Sequence, residues 1–270
     1  MTKEQFLTEG KTISEQAELM DSFHGYFIDS APRLHLSCEQ FGLFEGSLGD
    51  VLEVGPFFGY IPFLLRNRAT SYTVLEGNDP ACYPLLPLYK KADIGISCVD
   101  FFDIFGPVRG ATQRLPFPEA SFDKIICWET MEHFNFNPVK LVRELLRVLK
   151  PGGQVMITVP NRASFQNLFN QVFGRMELHS INDYYTFENY VSDGKNAFYG
   201  FHWREYTKNE LFRLFSKAGF EVPKSGTLTV FHDNGKHGPV RLIARKLMQL
   251  VTQLLPRYST HVYMLANKPK

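Results

Sequence analysis

The middle of the chain alternates short apolar runs with helical patterns, and this alternation constrains the fold more than any other feature. Five runs have the length and composition of buried strands: residues 51–54, 72–75, 94–99, 124–128 and 154–159. Such runs, separated by helical segments, are typical of parallel βαβ units. The apolar positions of residues 139–149 form one helical stripe, which ends at Pro151-Gly152-Gly153. The sequence therefore predicts an α/β domain with a mostly parallel sheet, its core spanning residues 50–160.

The flanking segments differ from this core. Residues 1–49 look helical, and we expect them to cap the open edge of the sheet. Residues 161–203 contain eleven aromatic side chains. Connections of this length are usually functional, so we predict that residues 161–205 form an inserted substrate lid; a second small core is compatible with this. Residues 206–270 are predicted to complete the α/β domain with a helix at 208–218, a strand near 227–231, a helix at 241–255 and a strand at 261–266.

Composition and charge exclude several classes of function. The formal net charge is +1 and the isoelectric point about 7.7, so the basic excess of a nucleic-acid-binding protein is missing. The four cysteines have no paired metal-binding spacing, and the histidines are scattered, so no metal site is expected. The polar N-terminal residues do not resemble a signal peptide, and no apolar run has membrane-spanning length. We therefore expect a cytoplasmic protein.

The sharpest motif is the segment DVLEVGPFFG at residues 50–59. Its buried strand ends near an acid, Glu53, and Gly55 and Gly59 then turn the chain closely enough for a ligand to approach the backbone. Glu76 closes the next strand, where a carboxylate can accept hydrogen bonds from both hydroxyls of a ribose. A dinucleotide site is disfavoured because Phe57 occupies the turn and Glu53 would repel a pyrophosphate, whereas this acid suits an ammonium group.

Several motifs in order resemble the class I S-adenosylmethionine (SAM)-dependent methyltransferases of the Rossmann-like superfamily, of the methyltransferase 11 and 23 type. Besides the glycine turn, they are LPFPEASFDKIICWETMEH at 115–133, LKPGG at 149–153, HWREYT at 202–207 and AGF at 218–220. The resemblance covers about two-thirds of the chain. It implies a seven-stranded sheet with an antiparallel last strand, and SAM as the cofactor.

The resemblance also implies roles for individual residues. The turn residues Glu53, Gly55, Pro56, Phe57 and Gly59 would face the methionine part of SAM, although Phe57 stands where a glycine is common. Glu76, Gly77 and Asn78 are expected at the ribose, and Asp100 and Phe101 at the adenine. Glu129, at the end of the fourth strand, would touch the cofactor or the substrate. Residues 111–114 are an alternative adenine contact, because extra residues separate Asp100 from the LPF run.

The predicted chemistry is methyl transfer to a small or medium acceptor. An alcohol acceptor needs a general base, and His133 and His202 are the candidates, with a purely structural role as the alternative for each. The lid residues expected to bind the acceptor are Tyr184, Tyr185, Trp203 and Arg204. Similarity to methyltransferases of bacterial glycan and lipopolysaccharide gene clusters implies a sugar hydroxyl in polysaccharide biosynthesis. The alternatives are a lipid quinone or other natural product, or a catalytically silent scaffold subunit.

Residues 241–255 form an amphipathic pattern with apolar positions 242, 243, 247, 250, 251, 254 and 255 on one face. We expect this face to pack on the domain or on a second copy in a homodimer. The alternative is peripheral contact with a membrane that carries a lipid-linked substrate.

Overall fold

The computed structural model describes residues 1–16, 21–57, 60–77, 85–106, 112–175, 201–230 and 239–270. Seven strands form one sheet in the order β3-β2-β1-β4-β5-β7-β6. They are β1 (Gly49–Val54), β2 (Ala69–Gly77), β3 (Gly95–Val99), β4 (Phe122–Trp128), β5 (Leu149–Pro160), β6 (Glu221–Leu228) and β7 (His261–Asn267). Only β7 runs antiparallel to its neighbours, β5 and β6. The predicted mostly parallel sheet with an antiparallel last strand is confirmed.

Helices cover both faces of this sheet. They are α1 (Lys3–Gln16), α2 (Asp21–Gln40), α3 (Tyr60–Leu65), α4 (Leu86–Lys91), α5 (Phe101–Phe105), α6 (Pro138–Val148), α7 (Phe165–Val172), α8 (Lys208–Ala218) and α9 (Pro239–Leu254). Within the described ranges, no helix combines the length and hydropathy needed to cross a bilayer. The helices predicted at 139–149, 208–218 and 241–255 correspond to α6, α8 and α9.

The two faces are buried in separate cores. Leu52 and Val54 point to the side covered by α6 and α8, and Val51 points to the side covered by the N-terminal helices. Phe6 and Phe27 are fully buried in this second core. The N-terminal helices thus cover a face of the sheet, and α2 also reaches the carboxyl edge, where Arg33 lies 3.8 Å from Glu129. Parallel strands are apolar on both sides, so each face needs a layer of helices.

Local signals explain where the best-defined helices begin and end. Asn137 caps α6 by accepting a hydrogen bond from the Val139 N–H, and Pro138 occupies the first helical position. Thr207 and Glu210 form a reciprocal capping box at the start of α8. Gly219 ends that helix with a φ of 107°, a left-handed conformation that glycine adopts without strain.

For the C-terminal half, the predicted position of the sixth strand needs correction, and part of the predicted lid lies outside the described residues. The sixth strand was expected near 227–231 but runs from Glu221 to Leu228. It is an edge strand with mostly partly exposed residues, so burial imposes little apolar pattern on it. Of the predicted lid, residues 161–175 and 201–205 are described and include α7; Tyr184, Tyr185 and the rest of 176–200 lie outside the described residues.

Three charged side chains meet at the amino ends of the central strands. The Lys150 ammonium donates to Asp50 Oδ2 at 2.7 Å and to Asp123 Oδ2 at 2.8 Å, and the Asp50 N–H also donates to Asp123 at 2.8 Å. The hydrogen bonds to Lys150 and Ser71 lower the pKa of Asp50. We call this group the amino-edge cluster. It fastens the start of β1 to the starts of β4 and β5.

Candidate cofactor and acceptor site

The turn after β1 is built around a glycine that tolerates no side chain. Gly55 has a φ of +65°, and its N–H donates to the Leu75 carbonyl at 2.8 Å. A Cβ atom placed on Gly55 would lie 2.4 Å from Thr130 Cγ2, which is closer than real Cβ contacts come. The Thr130 hydroxyl lies 3.1 Å from the Val54 carbonyl oxygen and 3.3 Å from that of Gly55. The turn after β1 is therefore packed directly against the segment that follows β4.

Phe57 and Glu76 join this turn to the end of β2. Phe57 has a φ of +54°, the left-handed region in which a glycine is free of strain. Its N–H donates to Glu76 Oε1 at 2.6 Å, and its ring contacts the Tyr26 ring edge-on at 5.3 Å. Glu76 is 4% exposed at the carboxyl end of β2. The carboxylate predicted at the ribose thus lies beside the turn predicted at the methionine part, while Phe58, Gly59 and Asn78 lie outside the described residues.

Glu53 is a buried carboxyl group beside the same turn. It accepts a hydrogen bond from the Tyr72 hydroxyl of β2. Burial raises the pKa of Glu53 to about 8, although the bond from Tyr72 acts in the opposite direction. At neutral pH the acid is therefore mostly protonated in the ligand-free chain. A cation bound next to Glu53 would favour its charged form.

The residues predicted at the adenine divide into two kinds. Asp100 follows β3 directly, and its Oδ1 atom lies 3.3 Å from the Asp103 N–H in the first turn of α5. Phe101 is 1% exposed and packs in the core against the Phe134 ring, with centroids 4.8 Å apart. The first residue of α5 thus turns inwards, and its place beside the adenine stays a prediction. The alternative stretch lies near the same helix, since the Gln113 N–H donates to the Ile104 carbonyl at 3.2 Å.

Glu129 has a different environment from the one expected. Its carboxylate lies 3.8 Å from an Arg33 nitrogen of α2 and 3.3 Å from His261 Nε2 of β7. Burial alone would raise the pKa of Glu129, but His261 and Arg33 lower it to about 2. The side chain thus has partners on two other elements, and its contact with cofactor or substrate stays a prediction. No spacing in the sequence indicates this pairing, because its members come from three distant elements.

Glu132 and two histidines form a group at the carboxyl end of β4. Glu132 is fully buried, and neither carboxylate oxygen has a hydrogen-bond partner in the part of the chain that the structure describes. Burial, and then the nearby charge of Glu129, raises its pKa well above the ordinary value. His133 Nε2 lies 3.9 Å from Glu132 Oε1, and His133 Nδ1 lies 3.1 Å from the Phe201 carbonyl oxygen.

His202 completes this group, which we call the carboxylate–imidazole array: Glu132, His133 and His202. The two imidazole rings meet edge-on with centroids 4.8 Å apart, and His202 Nδ1 lies 3.5 Å from Glu205 Oε1. The segment 201–205 returns to β4 because the Arg204 N–H donates to the Glu132 carbonyl at 3.2 Å. Within the array, one nitrogen or oxygen atom of each residue lies within 4.8 Å of the others, a grouping of a kind that can hold a metal ion. The sequence analysis expected no metal and did not foresee this grouping.

Two residues predicted to bind the acceptor are described. Trp203 is 41% exposed, and its ring lies 5.6 Å from that of Phe201. The Arg204 guanidinium lies 3.2 Å from Glu210 Oε1 and 5.3 Å from the centre of the Tyr206 ring. Both follow His202 directly, so they lie beside the array, and their role in binding stays a prediction.

The comparisons agree with this architecture. Residues 31–225 match the family described as a methyltransferase domain. The chain belongs to this family. A probable SAM-dependent methyltransferase of Mycolicibacterium smegmatis is 29% identical over 187 residues, which are 69% of this chain and 56% of that protein. A demethylmenaquinone methyltransferase of Listeria welshimeri is 28% identical over 139 residues, 46% of this chain and 54% of that protein.

The chain thus spans about half the length of these curated relatives. Among solved structures, a putative methyltransferase from Haloferax volcanii, in complex with its Trm112 activator, matches with a TM-score of 0.57 at 15% identity, covering 93% of this chain and all of that one. A Thermotoga maritima SAM-dependent methyltransferase matches with a TM-score of 0.53 at 16% identity, covering 93% and 97%. The fold is that of the Rossmann-like class I methyltransferases. Family and fold imply SAM as the cofactor.

Proposed function

We propose that this chain transfers the methyl group of SAM to a hydroxyl group of a small or medium acceptor. When bound, SAM supplies a sulfonium methyl group that is already activated for attack. The residues present fit its chemistry. Glu53 is a buried acid suited to the ammonium of the methionine part, Glu76 can accept from ribose hydroxyls, and Asp100 can accept from the exocyclic amine of adenine. These roles keep the assignment made from the sequence.

The carboxylate–imidazole array carries the proposal for an alcohol acceptor. Thr130 packs against Gly55, and the array begins two residues later in the chain. This closeness in the chain supports a proton acceptor near the turn that would hold the methyl donor. His133 is the preferred base. Because its Nδ1 lies against the Phe201 carbonyl, a proton on that nitrogen makes Nε2 the basic nitrogen of the ring.

The other members of the array have supporting roles. Glu132 lies 3.9 Å from His133 Nε2, so an imidazolium formed when the acceptor loses its proton would favour the charged form of this acid. His202 contacts the His133 ring and is the second candidate for the base. Deprotonation and positioning are what the protein must add, because the donor needs no further activation.

We propose a sugar or glycan-precursor hydroxyl as the acceptor. This follows the resemblance of the N-terminal cap and the HWREYT segment to methyltransferases of bacterial glycan and lipopolysaccharide gene clusters. A lipid quinone is the second candidate, since one relative is named a demethylmenaquinone methyltransferase. A silent scaffold is less consistent with Gly55 and Glu76, which keep the features that cofactor binding requires.

The proposal is tested by incubating the purified chain with methyl-labelled SAM and a panel of nucleotide sugars, alongside soluble quinol analogues. We expect label in a sugar ether, located by mass spectrometry of the product. Label transferred only to a quinol would replace the sugar by the second candidate. A chain that binds SAM and labels no acceptor in a panel extended to polyketide-like and amine acceptors would contradict hydroxyl methylation and favour the scaffold.

A further inference from the structure

Exposed apolar side chains in the described part of the chain are concentrated on two helices. Of ten large apolar residues with substantial exposure, eight lie on or directly after α7 and α9. They are Leu168, Phe169, Val172, Phe173, Leu247, Leu250, Leu254 and Leu255. Single exposed apolar residues are normal, whereas groups of them mark sites of interaction. We call these eight residues the α7–α9 surface.

The two helices are joined at one place in the fold. Pro160, at the end of β5, pairs with His261, at the start of β7. The Asn161 amide then donates to the Arg257 carbonyl at 3.0 Å and to the Ser259 carbonyl at 2.7 Å. The segment before α7 and the segment after α9 therefore meet at the carboxyl edge of the sheet. This is the edge on which the carboxylate–imidazole array lies.

Leucines 247, 250 and 254 follow the spacing of one helical face, and Leu254 is 72% exposed. Thr252, on the other side of the helix, is buried. The sequence analysis expected the apolar face of this helix to pack on the domain or on a second copy. For these leucines, packing on the domain was wrong, because they face away from it.

The two segments that carry the α7–α9 surface are basic in sequence, although Glu205 contacts Asn167 of α7. Residues 161–175 and 239–260 contain six arginine or lysine residues and no acid, although the whole chain has 29 basic and 28 acidic side chains. Lys246 and Arg257 are exposed beside the leucines. In a symmetric contact between two copies, this basic surface would face an identical basic surface. An anionic surface would instead complement it.

We propose that the α7–α9 surface binds the face of an anionic lipid bilayer. The exposed leucines and phenylalanines would enter the headgroup region, while the basic residues pair with lipid phosphates. Binding of this kind is peripheral and places the carboxyl edge of the sheet next to the membrane. The inference does not depend on the proposed reaction, because bilayer binding can be measured without an acceptor.

The experiment is flotation of the full chain with vesicles of phosphatidylcholine alone or with about 30% phosphatidylglycerol, at low and high salt. We expect binding to the anionic vesicles and a marked loss in high salt, since lysine and arginine contacts with anionic lipid are screened. The double variant Leu250→Gln/Leu254→Gln should reduce vesicle binding at least about tenfold, because each leucine loses apolar area that would be buried.

A matched pair of phenylalanines supplies the control. Phe169 on α7 and Phe212 on α8 are each 43% exposed, but only Phe169 belongs to the α7–α9 surface. Phe169→Gln should weaken vesicle binding, while Phe212→Gln should not. Equal effects of the two changes, equal binding to both kinds of vesicle or absence of binding by the wild type would each overturn the proposal. So would a dimer, detected by light scattering, that the leucine changes convert to monomer, since the surface would then belong to a second copy.

Discussion

At the amino edge of the sheet, Lys150 lies between Asp50 and Asp123, each within 2.8 Å. At the carboxyl edge, Glu53 and Glu132 are buried, and no described residue gives them a basic partner at hydrogen-bond distance. The pKa of Asp50 is lowered by its hydrogen bonds, but burial raises the pKa values of Glu53 and Glu132. One edge has satisfied charges near solvent, and the other keeps acids where their charged forms are unfavourable.

We infer from this difference that the charges at the amino edge stabilise the fold, whereas the acids at the carboxyl edge serve binding or reaction. An exposed ion pair adds modestly to stability. A buried acid with a raised pKa costs stability, and such groups concentrate at sites that bind or react. Glu129 shows that burial alone is not the signal, because Arg33 and His261 hold its pKa near 2. We therefore expect ligand contacts at the buried acids whose pKa values are raised, Glu53 and Glu132.

The largest effect is expected for His133→Gln. Glutamine can still donate to the Phe201 carbonyl, so the fold and SAM binding should persist while the base is lost. Turnover with an alcohol acceptor should fall by about 10²–10⁴-fold. The measurement is the initial rate with labelled SAM between about pH 6 and 9, the range in which a histidine base changes its protonation.

His202→Gln is the matched control for this change. If His133 is the base, loss of His202 should reduce turnover less and leave the shape of the pH profile unchanged. Near-normal turnover of His133→Gln across the same pH range would refute its role and move the assignment to His202.

A smaller effect is expected for Glu76→Ala. Removing the carboxylate would leave the ribose hydroxyls without an acceptor and should weaken SAM binding by about 1–3 kcal/mol, roughly 5- to 150-fold. Calorimetry measures the affinity. Glu76→Gln keeps an oxygen that accepts from the Phe57 N–H. This variant therefore distinguishes a change in the conformation of the turn from the loss of a contact with the cofactor. Unchanged affinity in the alanine variant would remove Glu76 from the site.

The smallest effect is expected for Lys150→Met at the amino edge. The lysine pairs with partly exposed acids, so its loss should lower the free energy of unfolding by about 1 kcal/mol or less and leave SAM affinity unchanged. The lowered pKa values mean that the amino-edge cluster contributes above the unfolded aspartate pKa of about 3.9 and loses its contribution as the pH falls. Denaturant unfolding of both proteins at neutral and acidic pH tests this. A difference that persists in acid would contradict it.

Much of the fold was predictable because the central strands are buried on both faces. The runs at 51–54 and 124–128 are mostly apolar for that reason, and they mark β1 and β4. β6 was misplaced because an edge strand with exposed residues carries no such pattern. Whether the N-terminal helices cover an edge or a face depends on which side of the sheet lacks a layer, and local sequence does not record that.

The candidate site was predictable where one motif determines both position and chemistry. The turn at Gly55 and the acid at Glu76 lie next to each other as expected. Phe101 shows the limit, since an aromatic residue after a strand can face a ligand or the core. The ion pairs of Glu129 and the contact between His133 and His202 join distant segments, so only the folded chain reveals them.

The central claim, that the carboxyl edge keeps an acid neutral until the cofactor arrives, is tested most directly by counting protons. With a pKa of about 8, Glu53 is mostly protonated at pH 7, and the ammonium of SAM would favour its charged form. Binding near pH 7 should therefore release nearly one proton, and SAM affinity should rise with pH between about 6 and 7.5, where the ammonium of SAM keeps its charge. Calorimetry of SAM binding in phosphate and in Tris measures the release. We predict nearly one proton for the wild type and none for Glu53→Gln; no release by the wild type, or the same release by both proteins, would contradict the account.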